Sequence, residues 1–256
     1  MSFLHELDVL RNARVEAVIN PALGARLASL QIDGLELLTE AGSFPMVPWA
    51  GRIRDAVLNV DGQQYQLPVG KDGNAIHGLA RNEPWEQIGV GRYIRPIADP
   101  WPTRGMAMLE YQLLQDGIRT ILTWDDGTDF PVSMGLHPWF NRRLDAGDDV
   151  ELTFSPTRMV ERDGALPTGR LVEPTSAPWD DCFDVDGDPV LTWPGALEVT
   201  LSSSSRWWVV FTEPEHAVCV EPQTAPPDAF HHDALKPPGG WPTSLTFEIR
   251  ARSLRA

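Results

Sequence analysis

The sequence predicts an all-β protein, an antiparallel sandwich or barrel. Three observations point there. Helical periodicity is scarce, and 23 prolines and 21 glycines are spread along the chain, where they break up long helices. Between them run short segments in which apolar and polar residues alternate, the pattern of a strand with one buried and one wet face. Many such strands separated by frequent turns argue for a sandwich or barrel. No repeat of fixed period is visible, which argues against a propeller.

The elements follow along the chain. A short helix is expected near Met1 to Ala13. Leu58 and Val60, then Tyr65 and Leu67, flank Asp61-Gly62 and predict a hairpin with a two-residue turn. Val150, Leu152 and Phe154 alternate with polar residues, as do Leu197, Val199 and Leu201. Ala217-Val218-Cys219-Val220 reads as a buried strand, and Pro222 is expected to end it, leaving Glu221 at the strand end. Leu245, Phe247, Ile249 and Ala251 face one way in the clearest strand of all, with Thr246, Glu248 and Arg250 facing the other. No linker or shift of composition divides the 256 residues, so a single domain over 1–256 is expected, long enough to bury a core without staples.

Composition narrows the function. A formal net charge of −15 disfavours nucleic acid and anionic membranes as partners, because both are bound through clustered Lys and Arg. The acidic residues are dispersed in short clusters and read as a solvated surface. Cys182 and Cys219 are too few for a disulfide framework and are not spaced for zinc, so two buried free thiols are expected. The N-terminus carries charge where a signal peptide needs an apolar run, and no stretch approaches the ~18 apolar residues of a membrane helix. A cytoplasmic location is expected.

Three distant segments carry the chemistry. Gly73-Asn74-Ala75-Ile76-His77-Gly78, Gly135-Leu136-His137-Pro138-Trp139-Phe140 and Val220-Glu221-Pro222-Gln223-Thr224-Ala225-Pro226-Pro227-Asp228 frame two histidines and a glutamate with Gly, Pro and aromatic residues. An imidazole and a carboxylate together supply a proton donor and a proton acceptor near neutral pH. A carboxylate at the end of a buried strand is desolvated, which raises its pKa toward that of a usable base. Arg52, between Gly51 and Ile53, offers a fork of donors to hydroxyl groups or, equally, a surface ion pair. Asp180, in Trp179-Asp180-Asp181-Cys182-Phe183, is placed to accept hydrogen bonds from sugar hydroxyls.

These residues, in this order and spacing, resemble the aldose 1-epimerases, or galactose mutarotases. The resemblance runs from about Asn20 to Arg252. It rests on Pro48-Trp49-Ala50-Gly51-Arg52-Ile53, Asn74-Ala75-Ile76-His77-Gly78, Gly135-Leu136-His137-Pro138-Trp139-Phe140, Leu166-Pro167-Thr168-Gly169, Trp179-Asp180-Asp181-Cys182-Phe183 and Glu221-Pro222-Gln223-Thr224. It implies a large antiparallel β-sandwich, the supersandwich, with an open groove on one sheet. It implies interconversion of the α and β anomers of an aldohexose, with no metal or redox cofactor. The family's catalytic glutamate falls on Glu221 and its proton-donating histidine on His137. Its substrate-binding residues fall on His77, Arg52 and Asp180, with Asp181 adjacent in an uncertain register.

One departure stands out. Many members of that family carry Asn before the arginine, where this chain has Gly51, which leaves the identity of the sugar open. A related branch acts on hexose 6-phosphates, for which Arg54 and Arg81 offer guanidinium groups, although the segments around His137 and Glu221 resemble the free-sugar branch. Two rivals remain. One is a sugar-binding module without catalysis. The other is a metal enzyme in which His77, His137 and Glu221 form a facial triad, although neither histidine has a carboxylate two residues on. His231 and His232, in a proline-rich loop, are expected to be solvated.

Overall fold

The alternating segments pair into two large antiparallel sheets in a computed structural model that describes residues 7–255. The first, with eleven strands, runs from Asp8–Arg11 at one edge to Leu166–Val172 at the other. Its centre is the sequence of neighbours Leu38–Met46, Gly135–Asn141, Ala217–Gln223, Trp207–Phe211 and Asp180–Val185. The second, with eight strands, is built around Gly105–Leu114, Gly117–Asp125, Ser244–Ser253 and Leu197–Ser203.

One hydrophobic cluster joins the sheets. Leu136, Phe140, Val218, Val220, Trp208 and Val210 leave the first sheet on one face and meet Leu122, Leu245, Phe247 and Ile249 from the second. Trp208 and Phe247 touch edge to face, 6.1 Å between ring centres. Burial of such side chains, at about 1.5–3 kcal/mol each, holds the layers together. Alternation then sends the residues between them to the opposite face of the first sheet. Those residues are His137, Trp139, Cys219, Glu221, Gln223, Val209, Phe211, Asp180 and Cys182.

Most expected strands are present. Val57–Val60 pairs with Gln63–Gln66 across Asp61 and Gly62, both at positive φ, as a two-residue hairpin turn requires. Leu197–Ser203 and Ser244–Ser253 bury their apolar residues in strict alternation. Among the described residues no helix is long and apolar enough to cross a membrane.

Two expectations need correction. The segment given to a short helix contains the strand Asp8–Arg11, which pairs with Val15–Asn20; Met1 to Glu6 lie outside the described residues. Pairing to a neighbouring strand outweighs the weak local helical signal there. Glu221 is also not at a strand end, because the strand continues through Pro222 to Gln223. Pro222 is tolerated because the ladder to the neighbouring strand lapses there. Regular partners are Gly135 with Gln223 and Trp139 with Cys219, and between them Pro138 and Pro222 both lack an N–H to donate.

Candidate active site

Counting inward from those partners sets His137 opposite Glu221, within the interrupted stretch. Their side chains meet: Nε2 of His137 is 3.2 Å from Oε1 of Glu221. Both are buried, at 6% and 2% exposure. The imidazole is clasped between aromatic rings. Trp139 stacks on it with planes 4° apart, and Phe44, opposite in the next strand, lies 4.6 Å away between ring centres. Its Nδ1 has no hydrogen-bond partner, so packing rather than a second hydrogen bond sets the ring plane. Trp139 also lies nearly parallel to His216, with 6.4 Å between ring centres, and itself lines the central cavity.

A two-stranded ribbon delivers the next pair. Arg52–Ile53 pairs with Ala75–Ile76, and the His77 N–H donates to the Gly51 carbonyl. His77 sits at φ +60°, uncommon outside glycine and a conformation that gathers at functional sites. Gly78 follows because a Cβ there would lie 2.1 Å from the Val47 oxygen. The His77 ring stands edge-on to His137, 5.2 Å between centres. Arg52 donates to Asp72 at 2.7 Å, so the ion pair foreseen as one option exists, yet the arginine also lines the central cavity.

That cavity encloses about 230 Å³, and Arg52, His77, His137, Asp180 and Glu221 all line it. The five residues singled out from sequence therefore converge. Of the neighbouring aspartates, Asp181 is committed to Arg162, which donates to it at 2.6 Å. Asp180 has no ion pair among the described residues, which leaves its carboxylate available to the cavity. Arg54 and Arg81 do not line it. Arg54 donates to the Pro167 carbonyl, and the Arg81 guanidinium lies over the Phe44 ring.

Electrostatics follow from burial. Desolvation pushes the Glu221 carboxyl well above its ordinary value, and the charge of Asp180 pushes the same way. Desolvation lowers His137 to about 3, helped by Arg81, and also pushes His77 well below its usual value, with His137 and Arg81 adding to the effect. The facing pair thus holds one proton between two groups that both prefer to be neutral.

Several residues escaped the sequence reading. Gln223 lies two residues beyond Glu221 on the same strand face, is buried, and lines the cavity with its Oε1 unpartnered. Period-two counting would have found it had the strand been carried through Pro222. Asp228, the last residue of the third segment, was given no role from sequence. Its buried carboxylate accepts from the Arg54 N–H, while its own N–H donates to the Arg52 carbonyl. His231 and His232, expected in solvent, turn inward toward it, with His231 Nδ1 at 2.6 Å.

The family model for aldose 1-epimerase matches residues 7–237. The chain belongs to the aldose 1-epimerase family. A relative among curated sequences is YihR of Escherichia coli K12, an uncharacterised protein 26% identical over 89% of this chain and 87% of its own length. Solved structures with the same architecture include the GalM/aldose epimerase homologue from C. elegans, with a TM-score of 0.82 and 16% identity over 98% of this chain and 99% of that one. Another is galactose 1-epimerase from Lactobacillus acidophilus NCFM, with a TM-score of 0.78 and 15% identity over 96% and 93%. At such identities the likeness is one of fold. Gly51, where the resemblance leads one to expect Asn, directly precedes Arg52. It has φ +65°, and a Cβ there would lie 2.7 Å from the Pro227 ring.

Proposed function

We propose that the protein interconverts the α and β anomers of an aldohexose through acid–base ring opening and closure. The observation that supports this most is the 3.2 Å approach of His137 to Glu221 in a cavity that also carries Arg52, His77 and Asp180. A cavity of this size suits one sugar ring.

Glu221 takes the proton of the C1 hydroxyl, and His137 gives a proton to the ring oxygen. The bond from C1 to the ring oxygen breaks as the C1 carbonyl forms. Rotation about C1–C2 turns the aldehyde, and the reverse transfers close the ring with the other hand. Protons are conserved over the cycle, so water need not enter. An acid and a base held in place contribute about 10²–10⁴-fold each. Burial favours the neutral form of both groups, so the competent tautomer needs help. A bound sugar gives it: the C1 hydroxyl donates to the Glu221 carboxylate, and the ring oxygen accepts from protonated His137. Arg52, His77 and Asp180 orient the remaining hydroxyls.

The test is anomer exchange, followed by polarimetry or magnetization-transfer NMR on fresh α-D-glucose and α-D-galactose beside their 6-phosphates. The native protein should accelerate exchange, and Glu221→Gln should lose about 10²–10⁴-fold. Binding of a sugar with exchange no faster than in buffer would show a carbohydrate-binding module instead.

A further inference from the structure

Cys219 lies two residues before Glu221 on the strand Ala217–Gln223, so both side chains leave the same face. It is fully buried and free. Ring opening gives this thiol no task. Yet one ligand atom from each of His137, Cys219 and Glu221 lies within 4.8 Å of the other two.

The spacing suits a tetrahedral ion. With metal–nitrogen and metal–oxygen bonds of about 2.0–2.1 Å, the edge between two such ligands is about 3.3 Å. The His137–Glu221 edge is already 3.2 Å. A sulfur ligand at about 2.3 Å makes edges near 3.6 Å. The thiol therefore has at most about an ångström to close, within the reach of one χ1 adjustment. Three protein ligands leave the fourth vertex open, and His137 and Glu221 face the cavity. Charge agrees as well. A buried thiolate and carboxylate are each costly alone, but with a divalent cation they sum to zero. Asp180 adds negative potential at both Cys219 and Glu221. His77 is not in this group, so the set differs from the two-histidine triad that the sequence suggested.

We infer that His137, Cys219 and Glu221 form a binding site for a thiophilic divalent cation such as zinc, and that its occupation arrests the epimerase. The second half rests on the proposed function; the first does not. The ion takes the imidazole lone pair and a carboxylate oxygen, the two positions between which the reaction moves its protons. Binding displaces the thiol proton and the proton of the pair, so it tightens as pH rises. A sulfur and nitrogen donor set selects against Mg²⁺ and Ca²⁺. A sugar in the cavity blocks the open vertex and protects.

Cobalt(II) reads the site without reference to activity. Metal-free full-length protein should bind one equivalent and show a thiolate-to-cobalt charge-transfer band. The band should vanish in Cys219→Ser and persist in Cys182→Ser, although Cys182 lines the cavity. Zinc should displace the cobalt and stop anomer exchange, more slowly when sugar is present in excess. Saturating cobalt without the band, or a band that survives Cys219→Ser, overturns the site. Zinc bound with exchange undiminished overturns the arrest. If Cys219→Ser does not fold by circular dichroism, Glu221→Gln serves, and undiminished cobalt affinity there overturns the site. A native protein with the band but no anomer exchange defeats the functional reading and leaves the site standing.

Discussion

His137 and Glu221 face each other across a sheet ladder whose N–H donors at positions 138 and 222 are missing, with 3.2 Å between Nε2 and Oε1. Each group is desolvated, so the pair keeps one proton over a wide range of pH. Acid adds a second proton only where His137 yields, near 3, and base removes the first only where Glu221 yields, well above its ordinary value. Exchange rate against pH should therefore show a broad plateau through neutrality, with limbs that belong to the pair. The neighbours fix the sign of two shifts. Asp180 raises Glu221, so Asp180→Asn should move the alkaline limb to lower pH. Arg81 lowers His137, so Arg81→Gln should move the acid limb to higher pH. Limbs unmoved in both variants would mean that this pair does not set the profile.

Gly51 and Pro227 share one space. Asn tolerates the left-handed backbone at residue 51, so conformation is not the obstacle to the residue common in the family. Pro227 is, with its Cβ and Cγ both 2.7 Å from an added Cβ. Gly51→Asn should destabilise by about 1–3 kcal/mol. Pro227→Gly should rescue it, whereas Pro227→Ala should not, because alanine keeps the Cβ that collides. Denaturant midpoints of the single and double variants measure the coupling. Additive losses would show that the clash is relieved in some other way.

The same contrast marks what the sequence made legible. The strands at 197–203 and 244–253 alternate cleanly because each has one face in the core, and period two is then visible. That His137, Glu221, His77, Arg52 and Asp180 belong together was legible through the order and spacing of the motifs shared with the aldose 1-epimerases, because singly each reads as readily as a structural residue. The continuation of the Glu221 strand was not, because proline argues against a central strand unless the neighbouring ladder also lapses, and that depends on Pro138, 84 positions away. Asp228, Asp72 and Phe44 were missed for a similar reason. Each acts through a partner distant in sequence, and no local pattern encodes such a pairing. His231 and His232 read as solvated because a proline-rich loop is ordinarily at the surface, but the buried Asp228 carboxylate draws them in.

Asp228 brackets Arg52, the residue proposed to bind the sugar. Its N–H donates to the Arg52 carbonyl, and its carboxylate accepts the Arg54 N–H, both at 2.9 Å. The backbone at Arg52 is thus held on both sides of Ile53 by one residue. Asp228→Ala leaves that N–H without its acceptor and should cost about 1–3 kcal/mol in stability. Because Arg52 is assigned to binding rather than proton transfer, KM should rise more than kcat falls. Asp228→Asn, which keeps an acceptor oxygen, should recover much of KM. A loss confined to kcat would count against the positioning role.

Stability against pH follows from the buried histidines, and the sign can be worked out. Folded His137 and His77 resist protonation, whereas in the unfolded chain both accept a proton near 6.5. Below 6.5 the unfolded state gains protons that the folded state cannot, so stability falls as pH drops from there toward 3, by about 1.4 kcal/mol per pH unit for each imidazole involved. The opposite holds on the other side. Folded Glu221 keeps a proton that the unfolded chain has lost above its ordinary 4.5, and the Asp228 hydrogen bond raises His231, so both contributions fade as pH climbs through the folded values. Thermal melts of the sugar-free protein should accordingly peak near neutrality. In His137→Asn one imidazole is gone, and the descent on the acid side should become shallower. An acid slope that this substitution leaves unchanged would mean that His137 accepts its proton in the folded state as readily as in water, and the electrostatic account of the pair would have to be abandoned.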